Sequence, residues 1–201
     1  MSDKDAPIQI VAYDLRWAQL FREERDALQR VLSPWLKGPV EHIGSTAVPG
    51  LAAKPVIDIM AAVGTLEESS DAIPVVRGLD YLYAPYRPDV MHWFCKPSPS
   101  FRTYHLHLVP FESALWTECI TFRDRLREDR TIAAEYLALK QGLAASFERD
   151  REGYTEGKSA FVARIVSEAV KKGAKKVPVP TPPAVTPPAD TGGVTAGAVA
   201  H

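Results

Sequence analysis

The sequence predicts an α/β (α+β) fold, a small mixed β-sheet of about five strands flanked by helices and followed by a helical C-terminal region. Strand-like runs rich in β-branched and aromatic residues crowd the first half of the chain, and from Ser113 the apolar residues recur at helical spacing. After Gly173 the composition turns abruptly to Pro, Gly, Thr and Ala. The 201 residues, 46% hydrophobic and 24% charged, suffice for one well-filled core. Residues 1–172 are therefore expected as one domain. Residues 173–201 are expected as a disordered Pro/Gly/Ala-rich tail, having too few large apolar side chains to offset the entropy of ordering.

The elements follow from local pattern. Residues 8–13 alternate as a strand does, and Trp17, Leu20, Phe21, Leu28, Val31 and Leu32 then mark one face of a helix that must end at Pro34. Residues 39–43 and 56–63 read as strands, the second an almost unbroken apolar run interrupted by Asp58. A helix is expected over 66–79, with Thr65 as its cap and Pro74 as a kink. Residues 81–86, 92–96 and 103–109 have strand composition and are separated by Pro-containing turns. From Ser113 onward three helices are expected, broken near Asp129 and Asp150 and ending by about Lys172.

Charge and composition narrow the function classes. A formal charge of −1 and a pI near 6.5 make nucleic acid an unlikely partner. Cys95 and Cys119 offer no disulfide framework and no metal-type cluster, which suits a reducing compartment. The amino terminus lacks a basic start before an apolar run, and no apolar stretch is long enough to cross a bilayer, so a cytoplasmic protein with no membrane partner is expected.

Three places could carry chemistry. Gly44-Ser45 ends a strand, where the turn can present backbone N–H groups and a hydroxyl to a phosphate, although such a pair also serves as an ordinary turn. Asp58 places a carboxylate inside an apolar strand, where a metal, a salt bridge or backbone hydrogen bonds must compensate it. Because strand neighbours two apart share a face, Asp58 points with Val56 and Met60, while Ile57 and Ile59 enter the opposite layer. By the same rule His105 and His107 project together, away from Tyr104, Leu106 and Leu108; two adjacent imidazoles suit a metal or a phosphate. Tyr154 and Lys158, four apart on the expected last helix, face one way, and Lys54, Lys96 and Arg102 flank the same strands and could neutralise a triphosphate. His42 reads equally as a site residue or a satisfied strand histidine.

The segments EHIGSTAVPGLAAKPVIDI, YHLHLV and YTEGKSAFV together resemble the GrpB family, a branch of the nucleotidyltransferase superfamily. The resemblance runs from about Ile10 to about Val170 and implies a sheet of the DNA polymerase β type. Family members occur alone or fused to dephospho-CoA kinase, where they have been treated as a folding-accessory domain. In that superfamily a Gly-Ser turn holds the triphosphate, two acids spaced by one residue bind divalent metal, and a later strand adds a third acid. The resemblance makes Gly44 and Ser45 the phosphate cradle and Asp58 the first metal acid, with His105 or His107 on the strand of the third. The position of the second acid is Met60, a thioether that cannot serve Mg²⁺, and imidazole ligands favour Mn²⁺ or Zn²⁺. Met91 and His92 stand where the family's R-x-F-x-K stretch has basic residues, while Phe94 and Lys96 are kept.

These readings converge on a metal-dependent nucleotidyltransferase moving a nucleoside monophosphate from a nucleoside triphosphate to a small-molecule or protein acceptor. Asp58 and His107 are its expected catalytic residues, and Asp58, His105 and His107 its expected ligands for Mg²⁺ or Mn²⁺, with Zn²⁺ as an alternative. Gly44, Ser45, Lys54, Lys96, Arg102, Tyr154 and Lys158 are its expected nucleotide contacts. A non-catalytic nucleotide-binding or folding-accessory module, and a transition-metal site serving another reaction on the same scaffold, are the competing readings.

Overall fold

The computed structural model describes residues 6–171 and 173. Of the expected disordered tail only Gly173 is described; the rest of that expectation lies outside the described residues.

Helix α1 (Arg16–Leu32) turns Trp17, Leu28 and Leu32 inward, with Phe21 and Val31 beside them. Its first turn is anchored by Asp14, whose carboxylate accepts from the Arg16 backbone N–H at 2.9 Å. The sheet comprises β1 (Leu36–Ile43), β2 (Ile57–Val63), β3 (Leu82–Ala84), β4 (His92–Pro97) and β5 (Arg102–Pro110), in the order β1-β2-β5-β4-β3. Only β2 and β5 pair in parallel; the other three ladders are antiparallel. This is the mixed five-stranded sheet the sequence predicts.

Alternation sorts each strand between two layers. Ile57, Ile59, Ala61 and Val63 of β2, with Leu106 and Leu108 of β5 and Phe94 of β4, meet α1 and the short α2 (Ala72–Arg77). Met60, Ala62, Val109, Trp93 and Cys95 face the other way, toward Trp116 of α3 (Ala114–Glu128). A third apolar cluster joins Val48 and Leu51 of the loop after β1 to Phe122 and Leu126 of α3, Tyr136 of α4 (Arg130–Ser146) and Ile165 of α6 (Ser159–Lys171).

Several boundaries differ from expectation. Residues 8–13 form no strand; Val11 makes one isolated bridge, exchanging two 2.9 Å backbone bonds with Ala53, because no sheet edge runs alongside to continue the ladder. Thr65 does cap, reciprocally with Glu68 (Glu68 N–H to Thr65 Oγ1 3.1 Å, Thr65 N–H to Glu68 Oε2 3.2 Å), but turns follow it and the helix is only Ala72–Arg77. Pro74 sits in that helix's first turn, where a missing N–H breaks no bond, so it starts a helix rather than kinking one. Among the described residues the helical region holds four helices instead of three: α5 (Arg151–Glu156) and α6 are separated at Gly157 and Lys158. The two expected breaks are capped, Asp129 accepting from Thr131 N–H at 2.9 Å and Asp150 from Gly153 N–H at 2.9 Å.

Leu106 is fully buried at the middle of β5 against α1. Leu106→Ala should lower unfolding stability by about 2–5 kcal/mol, read as a lower urea midpoint at unchanged slope.

Candidate functional site

Parallel register places Asp58 opposite His105 and Met60 opposite His107. His105 Nδ1 lies 2.8 Å from Asp58 Oδ1. A carboxylate can only accept, so Nδ1 carries the proton; His105 Nε2 is buried and has no hydrogen-bond partner among the described residues. One ligand atom from each of Asp58, His105 and His107 falls within 4.8 Å of the others. His107 places its Nδ1 3.3 Å from the Met91 sulfur. Burial pushes its pKa down to about 4, against the pull of Asp58, so the ring is neutral at pH 7 and available as a ligand. Burial works to raise the Asp58 pKa, but the His105 hydrogen bond, helped by the charge of Lys158, outweighs it and holds the carboxyl below its ordinary range.

The turn after β1 packs directly on this carboxylate. Gly44 has φ 71°, and a Cβ there would lie 2.6 Å from Asp58 Oδ2, so both conformation and space require glycine. Ser45 opens a short 3-10 turn, Ser45–Ala47, and lies beside the Tyr136 phenol, whose pKa burial raises against the influence of Ser45. Behind it, the Thr46 hydroxyl donates to Val56 O at 3.0 Å. That hydroxyl has one proton, so His42 Nε2, 3.0 Å away, donates to it, which makes His42 a satisfied strand histidine stacked on Phe21. The helices pin the loop further: Arg127 Nε donates to Ala47 O at 2.9 Å and Lys140 Nζ to Ala52 O at 2.6 Å.

Cations gather on the same side. Burial, reinforced by Arg151, pushes the Lys54 pKa down to about 8; Arg102 and Lys158 act the same way and Asp58 opposes them. Lys158 lies over the Tyr154 ring at 4.3 Å, and burial lowers its pKa despite the attraction of Asp58. Tyr154 is pushed up to about 12 by burial and by Asp58. Arg102 stacks over Trp93 at 5.0 Å and binds Pro99 O at 2.8 Å, while Arg151 reaches Pro99 O at 2.7 Å and Ser100 O at 2.5 Å. Lys54, Arg102, Arg151 and Lys158 thus share an electrostatic neighbourhood with Asp58, an arrangement matched to a polyanion.

Direct contacts therefore bring together Gly44, Asp58, His105 and His107, with Ser45 next in the chain, while Lys54, Tyr154 and Lys158 feel the Asp58 charge and Arg102 acts on Lys54. Tyr154 and Lys158 do so from α5 and the turn after it, not from one last helix. Lys96 does not join them. It stands opposite Tyr104 on the α1 face, bound to Glu24 at 2.7 Å and lying between the rings of Tyr81 and Tyr104, because alternation along β4 gives the site face to Trp93 and Cys95. His92 donates to Leu66 O at 2.9 Å. Tyr136 and Arg151 escape sequence reasoning, since neither lies near a recognisable strand motif; only the position of Arg151 beside the helix-starting Asp150 was a signal.

Met60 is fully buried beneath α3 with Trp116, Cys119 and Ile120. Its cross-strand neighbour Glu41 is engaged by Arg123 at 2.6 Å. The second-acid position of the polymerase pattern is apolar core in this chain.

The model of one family, described as GrpB protein, matches residues 7–168. A UPF0157 protein of Pseudomonas aeruginosa is 37% identical over 171 residues, covering 83% of this chain and 69% of that protein. The glutamate-rich protein GrpB of Alkalihalophilus pseudofirmus is 30% identical over 164 residues, 79% of this chain and 94% of its own length. The UPF0157 protein YqkA of Bacillus subtilis is 30% identical over 155 residues, and this chain spans 45% of its length. The crystal structure of conserved protein GrpB from Enterococcus faecalis superposes with a TM-score of 0.74 at 33% identity, covering 83% of this chain and 100% of that one.

Gly44→Ala forces a methyl group against Asp58, so it should destabilise by about 1–3 kcal/mol and shift the His105 ring NMR signals as the Asp58 contact breaks. At Met60, Leu should cost less than about 1.5 kcal/mol. Asp there should cost about 3–5 kcal/mol by leaving a charge unpaired in the core, both read from denaturant midpoints.

Proposed function

The chain belongs to the GrpB family, and on that premise we propose that it is a metal-dependent nucleotidyltransferase. In this reading the triphosphate of a nucleoside triphosphate rests on the Gly44-Ser45 turn, and the nucleoside monophosphate passes to a hydroxyl or amine of a small-molecule or protein acceptor. GrpB proteins are structurally related to the nucleotidyltransferase superfamily. The observation that carries the reading is the convergence, at Asp58, of a glycine turn that only a Cβ-free residue can make and two imidazoles, with the Lys158 and Lys54 charges acting on the same carboxylate.

The donor set suits one divalent ion of borderline softness. One carboxylate and two imidazoles match Mn²⁺ or Zn²⁺ better than Mg²⁺, and with Met60 buried the strand supplies no second carboxylate for a two-ion site. When bound, such an ion would neutralise phosphate charge and favour attack at the α-phosphorus. The protein's own groups orient and neutralise. Asp58 fixes the His105 ring through Nδ1, Lys54, Arg102 and Lys158 balance the phosphates, and Tyr154 with Lys158 closes the helical side. No described helix is long and apolar enough to cross a membrane. Burial of Met60 also favours a second reading, a nucleotide-binding or folding-accessory module without turnover.

Incubation with α-labelled nucleoside triphosphates and Mn²⁺, Zn²⁺ or Mg²⁺ should give labelled acceptor or released pyrophosphate, with Asp58→Asn lowering turnover at least about 100-fold. Triphosphate binding with no turnover under any metal selects the accessory reading; no binding at all removes both. Because Lys54 loses its charge as pH rises through about 8, triphosphate affinity should weaken from there upward, and Lys54→Arg should move that weakening to higher pH in a calorimetric titration.

A further inference from the structure

On the opposite side of the Ser45–Ala47 turn lies a cavity of about 850 Å³ between α1, the outer edge of β1 and the end of α3. It does not include Asp58, His105 or His107. Its volume falls in the range of small-molecule sites, roughly 300–1,000 Å³. Its lining pairs cations with flat rings. Arg22, Arg25 and Arg127 carry its positive charge, and Tyr13 with the stacked rings of Phe21 and His42, centroids 4.6 Å apart, forms an apolar wall.

Acids balance part of this charge, Asp26 at Arg25 and Asp124 at Arg127, and leave Arg22 to an amide. Glu41 also lines the cavity, but Arg123 holds it at 2.6 Å. Arg22 donates to the Gln19 amide oxygen at 2.6 Å rather than to a carboxylate. Arg25 binds Asp26 at 2.9 Å while lying 5.8 Å from the Phe21 ring centre. Arg127 spends its Nε on Ala47 O, and its guanidinium is 3.7 Å from Asp124. Its pKa is lowered, first by burial and next by the neighbouring Arg123, so it is a cation whose surroundings would improve with an added anion.

We propose that this cavity is a second ligand site, distinct from the Asp58 side, for a small organic anion that carries a phosphate or carboxylate on a planar body. The guanidinium groups of Arg22, Arg25 and Arg127 take the anionic oxygens, as planar donors do, and the Phe21–His42 wall takes the planar part. A ligand seated there touches Thr46 and Ala47, the residues that follow Ser45.

The test uses the full chain in EDTA-containing buffer, AMP and inorganic phosphate as probes, and amide NMR shifts with calorimetry as readouts. AMP should move the Phe21, Thr46 and Ala47 signals and bind tighter than phosphate. Arg22→Ala/Arg25→Ala, both on the outer part of α1, should weaken AMP at least about tenfold, whereas Lys54→Ala/Arg102→Ala should leave these shifts in place. If AMP moves only signals around Asp58 and Tyr154, with binding lost in Lys54→Ala/Arg102→Ala alone, the second site is overturned and the nucleotide reading of the first site stands. AMP binding no tighter than phosphate also overturns the proposal. Failure of the first site would appear separately, as no effect of Lys54→Ala/Arg102→Ala on triphosphate binding.

Discussion

Parallel pairing of β2 with β5 puts Asp58 across from His105 and Met60 across from His107, and almost every other feature of the site answers to that register. A slip of one residue would reverse every side chain of one strand, sending Asp58 or the histidines into the α1 layer among Leu28, Ile59 and Leu106. The apolar alternation on both strands forbids this, because each face is covered. The carboxylate and imidazoles are therefore held where they are by the burial of their neighbours, and the 2.8 Å Asp58–His105 bond is a result of the register rather than its cause. Gly44 then lets the backbone of the next segment come down onto the carboxylate without a clash.

The same logic explains what could be read in advance. Asp58 and the two histidines were legible because alternation within one strand needs no knowledge of its partner. Lys96 was not: its proximity in sequence to the site strands suggested a phosphate contact, yet its face is decided by pairing with Tyr104 across an antiparallel ladder, and Glu24 of α1 waits on that face. The strand expected over residues 8–13 had the right alternation but found only Ala53 to pair with. Tyr136 and Arg151 come from helices far along the chain, and their approach to Ser45 and Lys54 depends on tertiary packing that no local pattern encodes.

Met60 shows what fills the sheet face beside Asp58. Helix α3 lies over the inner half of that sheet face, filling it with Trp116, Cys119 and Ile120, so the polar part is confined to the end of β2 where Asp58 stands. An acid at position 60 would have to enter this cluster next to Glu41, whose charge Arg123 already balances. Burial and charge thus leave Asp58 as the carboxylate that β2 presents on this face.

The loop that carries Gly44 and Ser45 is fastened from behind by Arg127 at Ala47 O and by Lys140 at Ala52 O, both donors arriving from helices that follow the last strand in the chain. A chain ending after β5 would retain every sheet pairing and none of these fastenings. Lys140 lies about thirty residues beyond the end of β5, so the loop is fastened by chain made only after all five strands. The turn therefore depends on contacts of long sequence separation that the sheet's own ladders do not require.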